Sequence, residues 1–416
     1  MLKKIVVDRF KSIQKADLSF SKLNFFIGTN ASGKSNFFDA LRVLQGIGHG
    51  FTIHEIFHGR AKTSSSIEWD GIRGGGDVAV FRAREGKPGR PSDPDTKNTF
   101  QFETTYLSND VEFWYKIKID PIKGLVACEE FSFKDTKSVW HNVFQTIDAK
   151  LTDRIIRVKI FQGGKGKAPH HSFNRHIPVL HQMQDLRPEE FPFEHRDVIN
   201  QIINLLQDTQ KLDLIPSVLR EYSRQTQTER IGEHGENFAA LVKSILSNDI
   251  KKPAYNGWLS KLTPNDLDEA IVKKGALGEP IFGVIEGRNE ILAPQLSDGT
   301  LRFAALTAAL FQSAAPHILL LEEVDNGIHP SRLRLLVELL LVRARKGQAQ
   351  VFITTHSPIL LSWLDSKIYE SVFHCSRSHN GASNIQPVTD IPNFNELIKK
   401  QPFGDLFAEG WIENSL

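Results

Sequence analysis

The chain has little cysteine: only Cys128 and Cys375 in 416 residues. Two thiols so far apart give no disulfide framework and no metal-ligand spacing, and they suit a reducing cytosol. No apolar run approaches the roughly 18 residues that cross a bilayer, so no membrane partner is expected. Met1-Leu2-Lys3-Lys4 turns charged too early for a secretory signal, and a cytoplasmic protein is expected. A large excess of one charge sign is missing too. A net charge of +2 leaves nucleic-acid binding to a local patch, if it occurs at all. There is no H-N-H or H-E-x-x-H motif, no long heptad run and no internal repeat. No serine–histidine–acid set can be argued. What remains is ordinary for a globular protein, with 40% hydrophobic and 24% charged residues.

Against that background one stretch stands out. Gly28-Thr29-Asn30-Ala31-Ser32-Gly33-Lys34-Ser35 fits G-x-x-x-x-G-K-S/T, the phosphate-binding P-loop. Leu23–Ile27 before it reads as a short buried strand, and Asn36–Leu44 after it as an amphipathic helix. Strand, glycine loop and helix aim backbone N–H groups and a helix dipole at phosphate. In that chemistry the Lys34 ammonium reaches the β- and γ-phosphates, and the Ser35 hydroxyl ligates magnesium. A chain of this length holds two or three units, or one nucleotide-binding domain with large insertions.

Residues 3–8 and 17–27 read as two strands leading into the loop, joined through Lys11–Lys15. Gly46, Gly48 and Gly50 read as a break after the P-loop helix. Residues 66–133 turn to alternating aromatic strands, including Val78–Arg82, Phe100–Tyr106 and Phe113–Ile119, which predicts an antiparallel sheet. Residues 84–94 read as a polar loop. Between 151 and 180, Arg154, Arg157, Lys159, Lys165, Lys167 and Arg175 face one acid, Asp153. That segment is either a solvated basic loop or a contact for the phosphate backbone of DNA or RNA. Its histidines, His170, His171 and His176, lack zinc-pair spacing.

Residues 188–274 turn helical. Phe238, Leu241, Val242, Ile245 and Leu246 form one stripe, Val198, Ile202, Leu205 and Leu206 a second, and Leu267, Ala270 and Ile271 a third. Pro280–Ile285 and Glu290–Leu292 read as strands. The expected organisation is an N-terminal lobe at 1–65, a β-rich part at 66–185, a helical insertion at 186–280 and a C-terminal lobe at 281–416.

The C-terminal lobe carries three more polar elements. Ser297-Asp298-Gly299-Thr300 opens a helix, a second place where N–H groups meet an anion. Ile318-Leu319-Leu320-Leu321 reads as a buried strand delivering Glu322 and Glu323 to a sheet edge, where ligands of open α/β sheets bind. One acid can hold magnesium, and the next can polarise the attacking water. The strand Val351–Thr355 ends at His356, within reach of a γ-phosphate or that water.

Together GTNASGKSN, LSDGTLRF, ILLLEEVDNGIHP and TTHSPILL resemble the ATP-binding-cassette class of ATPase. The closer resemblance is to its SMC/RecF-like branch and to AAA_21-type ATPases, including OLD-like and Septu- or PARIS-associated defence ATPases. Gly235–Leu241 and Phe403–Trp411 resemble the helical arm and the C-terminal ending of that branch. The resemblance implies an α/β P-loop head, with a mixed central sheet, flanking helices, an antiparallel β subdomain and an inserted helical subdomain. It implies ATP and Mg2+ held by Gly28, Asn30, Ala31, Ser32, Gly33, Lys34, Ser35 and Asn36. Glu322 would be the Walker B acid, Glu323 the catalytic base and His356 the switch histidine. Ser297 and Gly299 would meet nucleotide bound to a second copy, giving a dimer that sandwiches ATP. A separate effector protein and a role in phage defence are implied, with a RecF-like DNA-binding ATPase as the alternative. The stretch after His356 is short, so no C-terminal Toprim nuclease is expected. Two departures stand out: Val324 replaces the family's proline, and Asp325 its next glutamate. The glutamine that senses the γ-phosphate has no clear position, with Gln182 and Gln184 as candidates.

Overall fold

A computed structural model of the chain describes residues 1–61, 68–83, 98–147, 154–162, 169–187, 191, 193–223, 228–262, 267–346 and 349–411. The fold is mixed α/β. Three strands open it: β1 (Leu2–Phe10), β2 (Ile13–Ser19) and β3 (Leu23–Ile27). Helices α1 (Lys34–Gly48) and α2 (Ile53–His58) follow. An antiparallel series comes next: β4 (Phe100–Ser108), β5 (Val111–Asp120), β6 (Leu125–Lys134), β7 (Trp140–Thr146), β8 (Ile155–Ile160) and β9 (His170–Asn174). Then come α3 (Val179–Gln182), α4 (Phe193–Gln207), β10 (Thr209–Leu212), α5 (Pro216–Leu219), α6 (Phe238–Leu246) and α7 (Lys251–Leu262). A small sheet follows, β11 (Glu269–Lys274), β12 (Pro280–Glu286) and β13 (Asn289–Leu292). The chain continues through α8 (Asp298–Phe311), β14 (Ile318–Leu321), α9 (Leu333–Arg345), β15 (Gln350–Thr355) and α10 (Pro358–Ser362). It ends with β16 (Val372–Arg377), β17 (Ser383–Pro387), α11 (Phe394–Leu397) and α12 (Phe403–Ala408).

Two compact units share this chain. The first comprises Met1–Ser21, Gly28–Thr209 and His374–Gln386; the second comprises Lys22–Ile27, Gln210–Phe373 and Pro387–Leu416. In the first, the strand order is β17-β2-β1-β4-β5-β6-β7-β8-β9. Its strands alternate because one face is apolar. Phe100, Phe102, Thr104 and Tyr106 point inward from β4, and Phe113, Tyr115, Ile117 and Ile119 from β5. Phe10, Phe100 and Phe102 meet with ring centroids 4.9–5.2 Å apart.

In the second unit, β10-β14-β15-β3 lie side by side, and the β14–β15 and β15–β3 pairs are parallel. Parallel strands are covered on both faces, so they read as mainly apolar runs. Every residue of β3, β14 and β15 is buried. Leu301, Phe303 and Ala304 of α8 and Leu336 and Leu340 of α9 join the same core.

Four local readings need correction. Residues 17–27 form two strands, because the alternating β2 ends at Ser19 and the exposed Ser21 and Lys22 precede the continuously buried β3. Gly46 and Gly48 lie within α1, and the helix turns off at Gly50 (φ 71°). A Cβ on Gly48 would stand 2.4 Å from Gln207 N, so this glycine lets α4 approach. Val78–Arg82 forms only a bridge, Val80 to Phe10. Leu267, Ala270 and Ile271 belong to the approach and body of β11, paired with β12; three positions are too few to separate helical from strand spacing. The polar loop at 84–94 lies outside the described residues.

Candidate nucleotide site

In the first unit the phosphate loop is shaped by close backbone approaches. Gly28 has φ 138°, and a Cβ there would stand 2.1 Å from the Cys375 carbonyl oxygen. Gly33 has φ 112°, and its Cβ would stand 2.2 Å from Ser383 Oγ. Neither position accepts a side chain. Ala31 also takes a positive φ, 63°, and its carbonyl accepts from Arg377 Nη1 at 3.1 Å. Helix α1 then starts with Gly33 as N-cap, without a side-chain cap and without an acid in its first turn. A helix start without a side-chain cap or an acid suits an anion. Lys34 Nζ donates to the carbonyls of Gly28 (2.6 Å) and Thr29 (2.8 Å), which holds the ammonium at the loop. Ser32 Oγ is buried without a hydrogen-bond partner among the described residues, and Ser35 is half-buried at the helix start.

Behind the loop lies a polar brace that motif reading passed over. Asn36 Nδ2 donates to Ser12 Oγ at 2.6 Å, and Ser12 Oγ meets Ser383 Oγ at 2.6 Å. Asp39, buried in α1, pairs with Lys11 Nζ (2.5 Å) and Arg73 Nη2 (3.0 Å). Arg73 Nη2 also donates to the Ser35 carbonyl at 2.9 Å. Burial lowers the Lys11 pKa, against the pull of Asp39. These groups border a cleft of about 500 Å³ that Arg82 and Arg377 also line. The available signal was Asp39 itself, an acid between the apolar positions Phe37, Phe38, Ala40 and Leu41 of α1, because a buried carboxylate requires cationic partners. His374 is buried near Lys34. Desolvation, then the lysine's charge, brings its pKa down to about 4, so the ring is neutral at ordinary pH.

In the second unit Glu322 and Glu323 follow β14. They are held differently. Glu322 N donates to the Leu212 carbonyl at 3.2 Å, and its Oε2 lies 3.3 Å from Lys211 Nζ. Glu323 is exposed and left-handed, with φ 44°. Such a conformation costs a non-glycine residue roughly 1–3 kcal/mol and persists only where its surroundings enforce it. Buried Thr354 of β15 does so. Its Oγ1 accepts from Glu323 N at 2.9 Å and its carbonyl from Val324 N at 3.3 Å. The second bond ties the turn through the Val324 N–H, which a proline at that position would not supply. Asp325 is buried, and its Oδ1 has no hydrogen-bond partner among the described residues. His356 follows β15 and is exposed.

Ser297 caps α8, accepting from Thr300 N at 3.2 Å. Gly299 has a packing reason of its own, since a Cβ would stand 2.4 Å from the Gly327 carbonyl oxygen. Both residues line a cleft of about 380 Å³ with Thr300, His329 and Arg332.

Two expectations are corrected. Gln182 is committed to the turn after β9: its amide donates to the Asn174 and Ile177 carbonyls and accepts from Asn174 N. Gln184 donates to Asn200 Oδ1 at 2.7 Å. Arg175 is fully buried, so it leaves the basic segment, whereas Arg154 and Arg157 are exposed and Lys159 is half-buried. On β8, Arg157 and Lys159 alternate with the inward Ile156, Val158 and Ile160, and Arg154 lies just before the strand. Lys165 and Lys167 lie outside the described residues.

The donor set suits magnesium. A serine hydroxyl and carboxylates are hard oxygen ligands, and magnesium usually takes one or two carboxylates beside substrate phosphate rather than an all-protein cage. Among the described residues no group of three or more His, Cys, Asp or Glu could hold a metal, and no helix is long and apolar enough to cross a membrane.

Comparison with known proteins adds the family. An SMC head bound to the C-winged helix domain of ScpA is similar to this chain with TM-score 0.49 and 13% identity, covering 92% of this chain and 96% of that one. The SMC head domain from Thermotoga maritima gives 0.43 and 13%, covering 93% and 98%. The Smc head with extended coiled coil from Pyrococcus furiosus, bound to the C-terminal domain of ScpA, gives 0.46 and 12%, covering 96% and 99%. An "ATP/GTP phosphatase" of Helicobacter pylori (strain ATCC 700392 / 26695) is 23% identical over 390 residues, 90% of each chain. The family described as "AAA domain, putative AbiEii toxin, Type IV TA system" matches residues 23–362. With most of its length under that match, this chain belongs to the AAA_21 family of ATPase domains.

Proposed function

We propose that this protein binds ATP with Mg2+ and hydrolyses it to ADP and phosphate. The observation that carries this is the start of α1, where uncapped N–H groups follow two glycines that no other residue can replace. Gly28, Asn30, Ala31, Ser32, Gly33 and Asn36 form the cradle, and Lys34 exchanges its loop carbonyls for phosphate oxygens. Ser35 and Glu322 hold magnesium, which when bound neutralises charge on the phosphates. Glu323 polarises the attacking water, and His356 orients it. The name of the H. pylori relative supports a nucleotide phosphatase activity.

The test is phosphate release. Lys34→Ala should abolish nucleotide binding. Glu323→Gln should keep binding and lower turnover by roughly 100-fold or more. Wild-type protein without magnesium-dependent turnover, or Glu323→Gln with unchanged turnover, would refute the reading.

In the same reading, Ser297 and Gly299 face nucleotide held by a second copy, and ATP closes the dimer. Light scattering of Glu323→Gln should show an ATP-dependent doubling of mass that Ser297→Arg abolishes. The closed dimer controls a separate effector protein in phage defence, in a cytoplasmic setting. The family's description, which names a putative toxin of a type IV toxin–antitoxin system, supports that direction. The second reading is RecF-like DNA binding, favoured by the outward cations of β8. It expects a salt-dependent gel shift that neutralising Arg154, Arg157 and Lys159 removes.

A further inference from the structure

We propose that Lys211 is a positioning residue for Glu322, setting its carboxylate for the divalent cation that enters with the nucleotide. This rests on the reading of Glu322 as a metal ligand. Lys211 stands on β10, with its side chain only 9% exposed. Its Nζ lies 3.1 Å from Glu233 Oε1 and 3.3 Å from Glu322 Oε2. The next residue of the same strand, Leu212, takes the Glu322 N–H at 3.2 Å. Strand β10 thus grips residue 322 by backbone and side chain together. Glu322 and Glu323 share a narrow cleft with Arg302, so Arg302 and Glu323 join Lys211 and Glu233 among the charged groups around the acid.

The physical consequence follows from charge and geometry. Among the groups named, three acids, Glu233, Glu322 and Glu323, outnumber the two bases, Lys211 and Arg302, and that surplus attracts a further cation. A carboxylate offers about four acceptor sites, so the tie to Lys211 takes up only part of that capacity in Glu322. Removing the ammonium leaves two poorly solvated acids repelling each other and frees the Glu322 side chain to turn away. Lys211 itself touches neither substrate nor metal; it acts through Glu322, as outer-shell partners of metal ligands do.

The experiment is a calorimetric titration of Mg2+ into full-length protein saturated with a non-hydrolysable ATP analogue, alongside the Mg2+ dependence of turnover. Lys211→Met should weaken Mg2+ binding about tenfold, while analogue affinity in EDTA stays at the wild-type value. Lys211→Arg should return Mg2+ affinity to within about threefold, because the charge and the pairing survive. If Lys211→Met does not fold, Glu233→Gln carries the test: it releases one end of the lysine and should weaken Mg2+ about threefold at unchanged analogue affinity. Unchanged Mg2+ affinity in the folded Lys211 or Glu233 variants overturns the proposal, provided Glu322→Gln weakens it. If Glu322→Gln also leaves Mg2+ affinity unchanged, the reading of Glu322 as ligand falls first.

Discussion

The phosphate loop and the acid corner are both built for charge, but by opposite means. The loop is held by backbone shape: two glycines pressed against Cys375 and Ser383, and a helix start without a side-chain cap. The acid corner is held by side chains and carbonyls of other strands, Thr354 and Lys211 above all. A backbone cradle tolerates no added atom, whereas a side-chain tie can be cut without changing the path of the chain. The first should fail abruptly under substitution and the second by degrees.

Gly28→Ala attacks the first region. It places a methyl 2.1 Å from a carbonyl oxygen at a φ that L residues avoid. Expected are a loss of roughly 3 kcal/mol or more of stability and at least tenfold weaker nucleotide binding, read by thermal melting and fluorescent-nucleotide titration. A variant with wild-type affinity would remove the loop's rigidity from the account. Thr354→Val, nearly isosteric, attacks the second. It leaves the Glu323 N–H unpaired and frees a strained residue, so turnover should fall about tenfold with roughly 1–2 kcal/mol of stability, while nucleotide affinity holds. Loss of affinity instead would show that the two regions are not separable.

Glu129 offers a third, intermediate case: a side chain that caps backbone. This buried carboxylate accepts from the N–H groups of Val179 (2.7 Å) and Leu180 (2.8 Å) and from Tyr115 Oη. Burial nonetheless pushes its pKa up to about 7, from 4.5. The folded state then binds more protons than the unfolded state between those values. Stability should fall as pH rises through that window, by on the order of a few kcal/mol, and level off above it. Glu129→Gln should flatten that slope in urea melts across the same pH range; an unchanged slope would assign it to other groups. The smallest effect is expected for Val324→Pro. It restores the family's residue but deletes the donor to the Thr354 carbonyl, and the melting temperature should fall by an amount worth about 1 kcal/mol.

The P-loop was legible because its requirements are local. Glycines, lysine and serine at set spacing specify a strand-to-helix turn whose backbone does the work. The apolar runs Ile318–Leu321 before Glu322 and Val351–Ile353 before His356 were legible for the same reason, since strands buried on both faces are mainly apolar. Gly46 and Gly48 were misread because nothing in the sequence says that α2 and α4 pack against that side of α1. The stripe at Leu267, Ala270 and Ile271 was misread because pairing with β12 overrides a short helical pattern. Arg175 counted as a surface cation until the fold buried it.

Local order along the chain therefore determined which residues form the glycine-flanked helix start and which acids end a buried strand, since helix starts and strand periodicity are set within a few residues. Tertiary structure alone decided that Lys11 and Arg73 converge on Asp39, that Thr354 holds Glu323 left-handed, and that Lys211 faces Glu322. Each of those ties joins residues far apart in sequence, and whether such groups meet depends on the packing of strands and helices, which no local pattern records.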